Sequence, residues 1–289
     1  IFFIKITIFQ YCFVSLWREK KEETMNESPD ILYRNSQRSV QQVSMKFQRE
    51  LLHSINWNAR IIGIKGPKGV GKSTLLKQRI RDAFPDESKV LYVSLDNMWF
   101  ANNTLADLVE YHYTHGGTHL FLDEVHKYDH WQTYIKNIYD DYPTMNVVFT
   151  GSSMLKLSKG EGDLSRRVAM HTMNGLSFRE YLMFEDILHF EKLSLDDILT
   201  RHVQIAAEIA DQVRILPHFE RYCRYGYYPF YKEDLEGFHA KLMEVAQQTI
   251  ELDMPAVEKV EYITIQKLKK LLGIIALQVP FIPKMEELD

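Results

Sequence analysis

The chain has 289 residues, 45% of them hydrophobic and 12% aromatic, which supplies core material for one large or two modest domains. A net charge of −4 argues against a general polyanion-coating role. Two cysteines, Cys12 and Cys223, exclude a disulfide framework and fit a reducing, cytoplasmic setting.

Residues 1–24 begin with the apolar run Ile1 to Trp17, followed by the charged stretch Arg18 to Glu23. A membrane helix needs about 20 apolar residues, and Lys5 and Gln10 interrupt this shorter run. A secretory leader wants a basic start and a small-residue cleavage site. The expectation preferred here is that Met25 is the natural start and residues 1–24 are a non-native or disordered extension. In 25–59, Val43, Phe47, Leu51 and Ile55 recur at steps of four and predict a helix beside the core.

Arg60 to Lys65 reads as a buried strand, Thr74 to Ile80 as a helix, and between them stand Gly66-Pro67-Lys68-Gly69-Val70-Gly71-Lys72-Ser73. This is G-x-x-x-x-G-K-[ST] in the strand–loop–helix context that the motif requires. The glycines let successive amides face one concavity, and the positive helix end strengthens the anion field there. Gly66 to Thr74 is therefore the expected phosphate site, with Lys72 on the β and γ phosphates and Ser73 on Mg²⁺.

Val90 to Leu95 predicts a buried parallel strand, and Leu105 to Tyr113 a helix ended by Gly116-Gly117. Thr118 to Leu122 is a strand closing in Asp123-Glu124. After a P-loop, such a pair predicts that Asp123 holds Mg²⁺, directly or through water, and that Glu124 orients or deprotonates the attacking water. A kinase, which uses an acceptor hydroxyl, has no need of that second acid. Trp131 to Tyr142 predicts a helix broken at Pro143, and Val147 to Ser153 the next strand. By analogy with additional-strand P-loop ATPases, its polar tip carries a γ-phosphate sensor, assigned to Ser152 with Thr150 and Ser153 beside it. Arg166 and Arg167 are candidate cations for the transferring phosphoryl group, in cis or toward a neighbouring subunit.

Phe238, Leu242, Val245, Thr249 and Leu252 predict a helix with one buried seam; Ile265, Leu268, Leu272 and Ile275 predict another. Lys267, Lys269 and Lys270 lie near the exposed side of the latter. They make DNA a candidate partner, while a solvated lysine face is the commoner outcome.

The words GPKGVGKSTLLKQ, FLDEVHKYDHW, VVFTGSS, DLSRR, GLSFREYL and FERYCRYGYYP, in this order, resemble the AAA-type ATPases of bacteria and archaea that carry an uncharacterised C-terminal domain. The resemblance spans roughly residues 35 to 285. It implies an α/β fold: a three-layer P-loop domain whose parallel sheet has an additional strand between the P-loop strand and the acidic strand, followed by a mostly helical domain. It places the arginine role on Arg167, because the family's Leu-Ser-Gly-Arg reads Leu164-Ser165-Arg166-Arg167 here, and a second departure puts Gly226-Tyr227-Tyr228-Pro229 where Gly-Gly usually precedes the aromatic residue and proline. The implied organisation is an N-terminal helical segment at 25–59, the ATPase core at 60–185, a helical lid or linker at 186–232, and at 233–289 the incomplete start of a winged-helix-like domain that relatives continue into nuclease-like sequence. The implied cofactors are ATP and Mg²⁺, and the activity is hydrolysis that drives a conformational change. The alternatives are an ATP-dependent switch with little turnover and a DNA-associated ATPase. DNA or a protein is the partner expected through the C-terminal region, oligomerisation is open, and stable membrane association is not expected.

Overall fold

In the computed structural model, which describes residues 28–151, 164–257 and 260–278, the apolar runs become five parallel strands. Helix α1 (Asp30–Gln41) and the short α2 (Glu50–Ser54) precede β1 (Ile61–Lys65), α3 (Lys72–Ala83), β2 (Val90–Ser94), α4 (Leu105–Thr114), β3 (His119–Asp123), α5 (Trp131–Asp141), β4 (Asn146–Gly151) and β5 (Ala169–Thr172). Helices α6 (Phe178–Phe184), α7 (Leu195–Gln212), α8 (Ile215–Arg221), α9 (Phe238–Gln248), α10 (Met254–Val257) and α11 (Tyr262–Gln278) follow.

The sheet order is β2-β3-β4-β1-β5, so β4 separates the P-loop strand β1 from the acidic strand β3, as expected. Strand periodicity of two divides each strand between two layers. Ile61, Leu120, Leu122, Val147 and Phe149 pack with Leu108 of α4 and Ile135 of α5. Ile62, Ile64, Phe121 and Val148 pack with Leu75, Leu76 and Ile80 of α3. Helices thus cover both faces, giving the three-layer α/β P-loop architecture. Strand β2 is an edge strand despite its apolar run. Helix α1 covers that edge, and the Tyr92 backbone N–H donates to Ser36 Oγ at 3.0 Å.

The helix predicted through Val43 and Phe47 is displaced. Residues 43–49 connect α1 to α2, because donors on α3 hold their carbonyls: Gln78 Nε2 donates to Ser44 O at 2.7 Å and Phe47 O at 2.8 Å. Tertiary hydrogen bonds overrule the local spacing. In the C-terminal part, α9 runs through a π-helical stretch, Thr249–Asp253, into α10. Residues 233–257 and 260–278 contain helix and no strand. The second predicted seam is not buried: Ile265 and Leu268 are only half-buried, and Leu272 and Ile275 are 42% and 37% exposed. The preferred start at Met25 and the extension 1–24 lie outside the described residues. Among the described residues, no helix is long and apolar enough to cross a membrane.

A buried histidine sets a pH limit on this fold. His112 of α4 is fully buried, with Nδ1 accepting from the Tyr33 hydroxyl at 2.7 Å and Nε2 donating to the His119 carbonyl at 3.0 Å. Burial pushes its pKa down to about 4 from 6.5. The unfolded chain therefore takes up this proton first as pH falls. Stability present above about pH 6.5 is lost toward pH 4, by about 3 kcal/mol from this group. Urea unfolding between pH 7 and 4 should show a loss about that much smaller in His112→Gln than in the parent chain; equal losses would exclude His112 as the cause.

Candidate nucleotide site

The loop between β1 and α3 opens at the carboxyl end of the sheet. Gly69 and Gly71 adopt φ of 84° and 97°, the left-handed region that turns the chain into the amino end of α3. Gly66 has a different requirement: a Cβ there would meet the Met173 carbonyl, so only glycine lets the loop pass. Lys72 is buried, and its ammonium donates to Gly66 O at 2.9 Å and Pro67 O at 3.0 Å. Burial lowers its pKa, opposed by the charges of Glu124 and Asp123.

A buried ion pair fixes the loop from behind. Arg49 donates through Nη1 to Val70 O at 2.9 Å, through Nη2 to Asn174 O at 2.8 Å, and through Nε to Glu180 Oε1 at 2.9 Å. Burial raises the Glu180 pKa, but the hydrogen bond and charge of Arg49 outweigh it and leave the group below the usual carboxylate range. Glu180 also closes a capping box with Ser177 at the start of α6. The Ser-Phe-Arg-Glu word in GLSFREYL thus starts a helix and supports the phosphate loop at once. The YGYYP word packs on the same corner: the Tyr222 hydroxyl donates to Leu176 O at 2.7 Å, Leu176 N–H donates to Tyr227 O at 2.8 Å, and the Phe230 ring lies over Gly69.

Asp123, at the end of β3, is buried; its Oδ2 accepts from the Tyr92 hydroxyl at 2.7 Å and its Oδ1 from the Thr150 hydroxyl. Burial first, and then the Asp123 charge, raise the Tyr92 pKa. Ser73 lines the cleft, and it and Asp123 are both neighbours of this hydroxyl. That pair of hard oxygen donors is the chemistry that fits Mg²⁺. Glu124 stands in the left-handed region at φ 55°. Its carboxylate, 25% exposed, lies 3.9 Å from Lys72 Nζ and 3.3 Å from His126 Nε2. Thr150 Oγ1 accepts from the Glu124 backbone N–H at 3.1 Å.

The P-loop and Glu124 line a cleft of about 720 Å³ whose apolar wall includes Phe47, Phe184 and Phe230. Gly69 to Thr74 border it, and Lys68 extends from its rim to Gln248 Oε1. Of the remaining predicted residues, one is not described and one is placed elsewhere. Ser152 lies outside the described residues. Arg167 packs on α5, with its guanidinium 3.3 Å from Asp140 Oδ1 and 5.3 Å from the Tyr139 ring centroid. Sequence reasoning passed over Tyr92, Arg49 and His126; only His126, beside the Asp-Glu pair, carried a local signal.

Thr150 serves two partners that the strand ends leave buried. Thr150→Val keeps the shape and removes both hydrogen bonds, so a stability loss of about 1–3 kcal/mol is expected in denaturant unfolding. A loss below about 0.5 kcal/mol would show that neither bond matters.

Residues 58–182 match the family model described as an AAA domain. An uncharacterised protein of Methanocaldococcus jannaschii, MJ1637, is 29% identical over 235 residues, covering 76% of this chain and 49% of that protein. The chain thus spans about half the length of this curated relative. Similar solved structures include AMPPCP-bound DnaA from Aquifex aeolicus, 16% identical with a TM-score of 0.37, over 70% of this chain and 67% of that one. C. elegans PCH-2 is 18% identical with a TM-score of 0.31, over 59% of this chain and 50% of that one.

Proposed function

Because residues 58–182 match an AAA domain, we propose that the chain is an AAA-type P-loop ATPase that binds ATP with Mg²⁺, hydrolyses it, and uses the cycle to move its C-terminal helical part. One observation carries this most: Asp123 is buried at the strand end with both carboxylate oxygens held by hydroxyls, while the next residue, Glu124, presents its carboxylate to the cleft 3.9 Å from Lys72 Nζ.

Each residue then has a task. Backbone amides from Gly69 to Ser73 and the amino end of α3 bind phosphate oxygens. Lys72 leaves its two loop carbonyls for the phosphates as a charged donor, which compensates its burial better than carbonyl groups do. Ser73 and Asp123 would hold Mg²⁺, whose chemistry is to neutralise phosphate charge and order the phosphate oxygens. Glu124 orients a water and accepts its proton. Phe47, Phe184 and Phe230 offer an apolar wall to the base. Ser152 enters as the γ-phosphate sensor and Arg167 as the arginine donor, in cis or from a neighbouring copy.

The proposed setting is cytoplasmic, with DNA or a protein as the partner of the C-terminal region. The lysine face there is already partly engaged, since Lys269 pairs with Glu251. Steady-state phosphate release tests the proposal. Release that requires Mg²⁺ is expected; nucleotide bound tightly with no release in its presence would favour the switch that seldom turns over.

A further inference from the structure

The π-helical stretch Thr249–Asp253 reaches the turn that follows the acidic strand. Asp253 is buried, with Oδ1 3.0 Å from Lys127 Nζ and 3.9 Å from His126 Nε2. The same ring nitrogen lies 3.3 Å from Glu124 Oε2. Two carboxylates thus face one imidazole nitrogen. A lone pair directed at both would be repelled, so this buried nitrogen carries hydrogen and faces both acids at ion-pair distance, without a formed hydrogen bond to either. The neighbouring His126, and then Lys127, which donates to it, hold the Asp253 carboxyl down to about 2, so it stays charged.

We infer that Asp253 is a positioning residue for Glu124 that acts through His126, so that the C-terminal helical segment governs turnover without touching the nucleotide. The inference rests on the hydrolytic reading of Glu124. The backbone of the turn is fixed, because Lys127 N–H donates to Glu124 O at 2.9 Å and Tyr128 N–H to Val125 O at 3.0 Å. What remains adjustable is the Glu124 side chain, and the nearer of its two ion-pair neighbours, at 3.3 Å, is a ring whose other carboxylate comes from another part of the chain. When Asp253 is seated, the ring is held between the two acids and Glu124 keeps one direction. When the segment withdraws, the ring loses the second acid and that direction is lost. The same segment also senses the other end of the site, since Gln248 accepts from Lys68 of the P-loop. A phosphate that draws Lys68 away would release the segment next to Asp253.

The test uses the full chain, with steady-state phosphate release and equilibrium ADP binding measured side by side. Asp253→Ala, and the isosteric Asp253→Asn in case the first fails to fold, should lower kcat about tenfold and leave ADP affinity within about twofold. On a His126→Ala background the Asp253 change should cost nothing more. Selective ¹⁵N labelling of histidine adds a readout independent of turnover: Asp253→Asn and Glu124→Gln should each shift the same His126 ring resonance. An unchanged kcat in a folded Asp253 variant, a full tenfold loss on the His126→Ala background, or a ring resonance that ignores Glu124→Gln would each overturn the inference. Absence of phosphate release from the parent chain would instead overturn the hydrolytic reading on which it rests.

Discussion

Glu124→Gln is expected to lower the turnover number by about 100-fold or more, the usual contribution of a positioned general base, while nucleotide affinity stays within about twofold. Gln keeps the shape and one oxygen, so the cleft wall and the left-handed turn at φ 55° are retained. What disappears is the group that takes the proton of the attacking water. The affinity is preserved because the phosphate donors belong to the loop and to Lys72, whose ammonium is 3.9 Å from this carboxylate. Phosphate release with saturating ATP, and binding measured on the same preparation, separate the two effects. Undiminished turnover would remove Glu124 from the mechanism.

Lys72→Met should act on the other term and weaken ATP binding on the order of 100-fold, which corresponds to about 3 kcal/mol for loss of a desolvated charged donor. Met retains the apolar stem in its buried channel. The ammonium now rests on the carbonyls of Gly66 and Pro67, and its pKa is lowered chiefly by burial. It is therefore poorly solvated and poorly compensated, and a polyphosphate is the better partner. Titration of a fluorescent ATP analogue gives the affinity, and a thermal melt of the nucleotide-free chain separates binding from folding. Affinity within a few-fold of the parent would mean that Lys72 is a structural cation.

The P-loop and the Asp-Glu pair were legible because their chemistry is local: glycine geometry, a lysine and a hydroxyl within eight residues, and acids at a strand end. The structure adds why Gly66 is glycine, since the Met173 carbonyl that excludes a Cβ comes from a distant segment. Strand β2 read as an interior strand because its residues are apolar; its place at the edge depends on α1 covering it, and no single-strand pattern records that. Tyr92 read as core for the same reason, although its hydroxyl donates to Asp123. The helix predicted through Phe47 was replaced by a connector because Gln78 on α3 holds two of its carbonyls. Asp253 was illegible. It lies in no motif, and its importance comes from folding next to His126 and Lys127, more than 120 residues earlier in the chain.

In the proposed cycle, water activated by Glu124 cleaves ATP at this site. The most direct measurement is the chemical identity of the nucleotide that remains bound after the chain is mixed with stoichiometric ATP and Mg²⁺ and then quenched. The expected result is ADP on the parent chain and intact ATP on Glu124→Gln. Intact ATP on both, after many minutes, would contradict hydrolysis; ADP on both would contradict the role of Glu124.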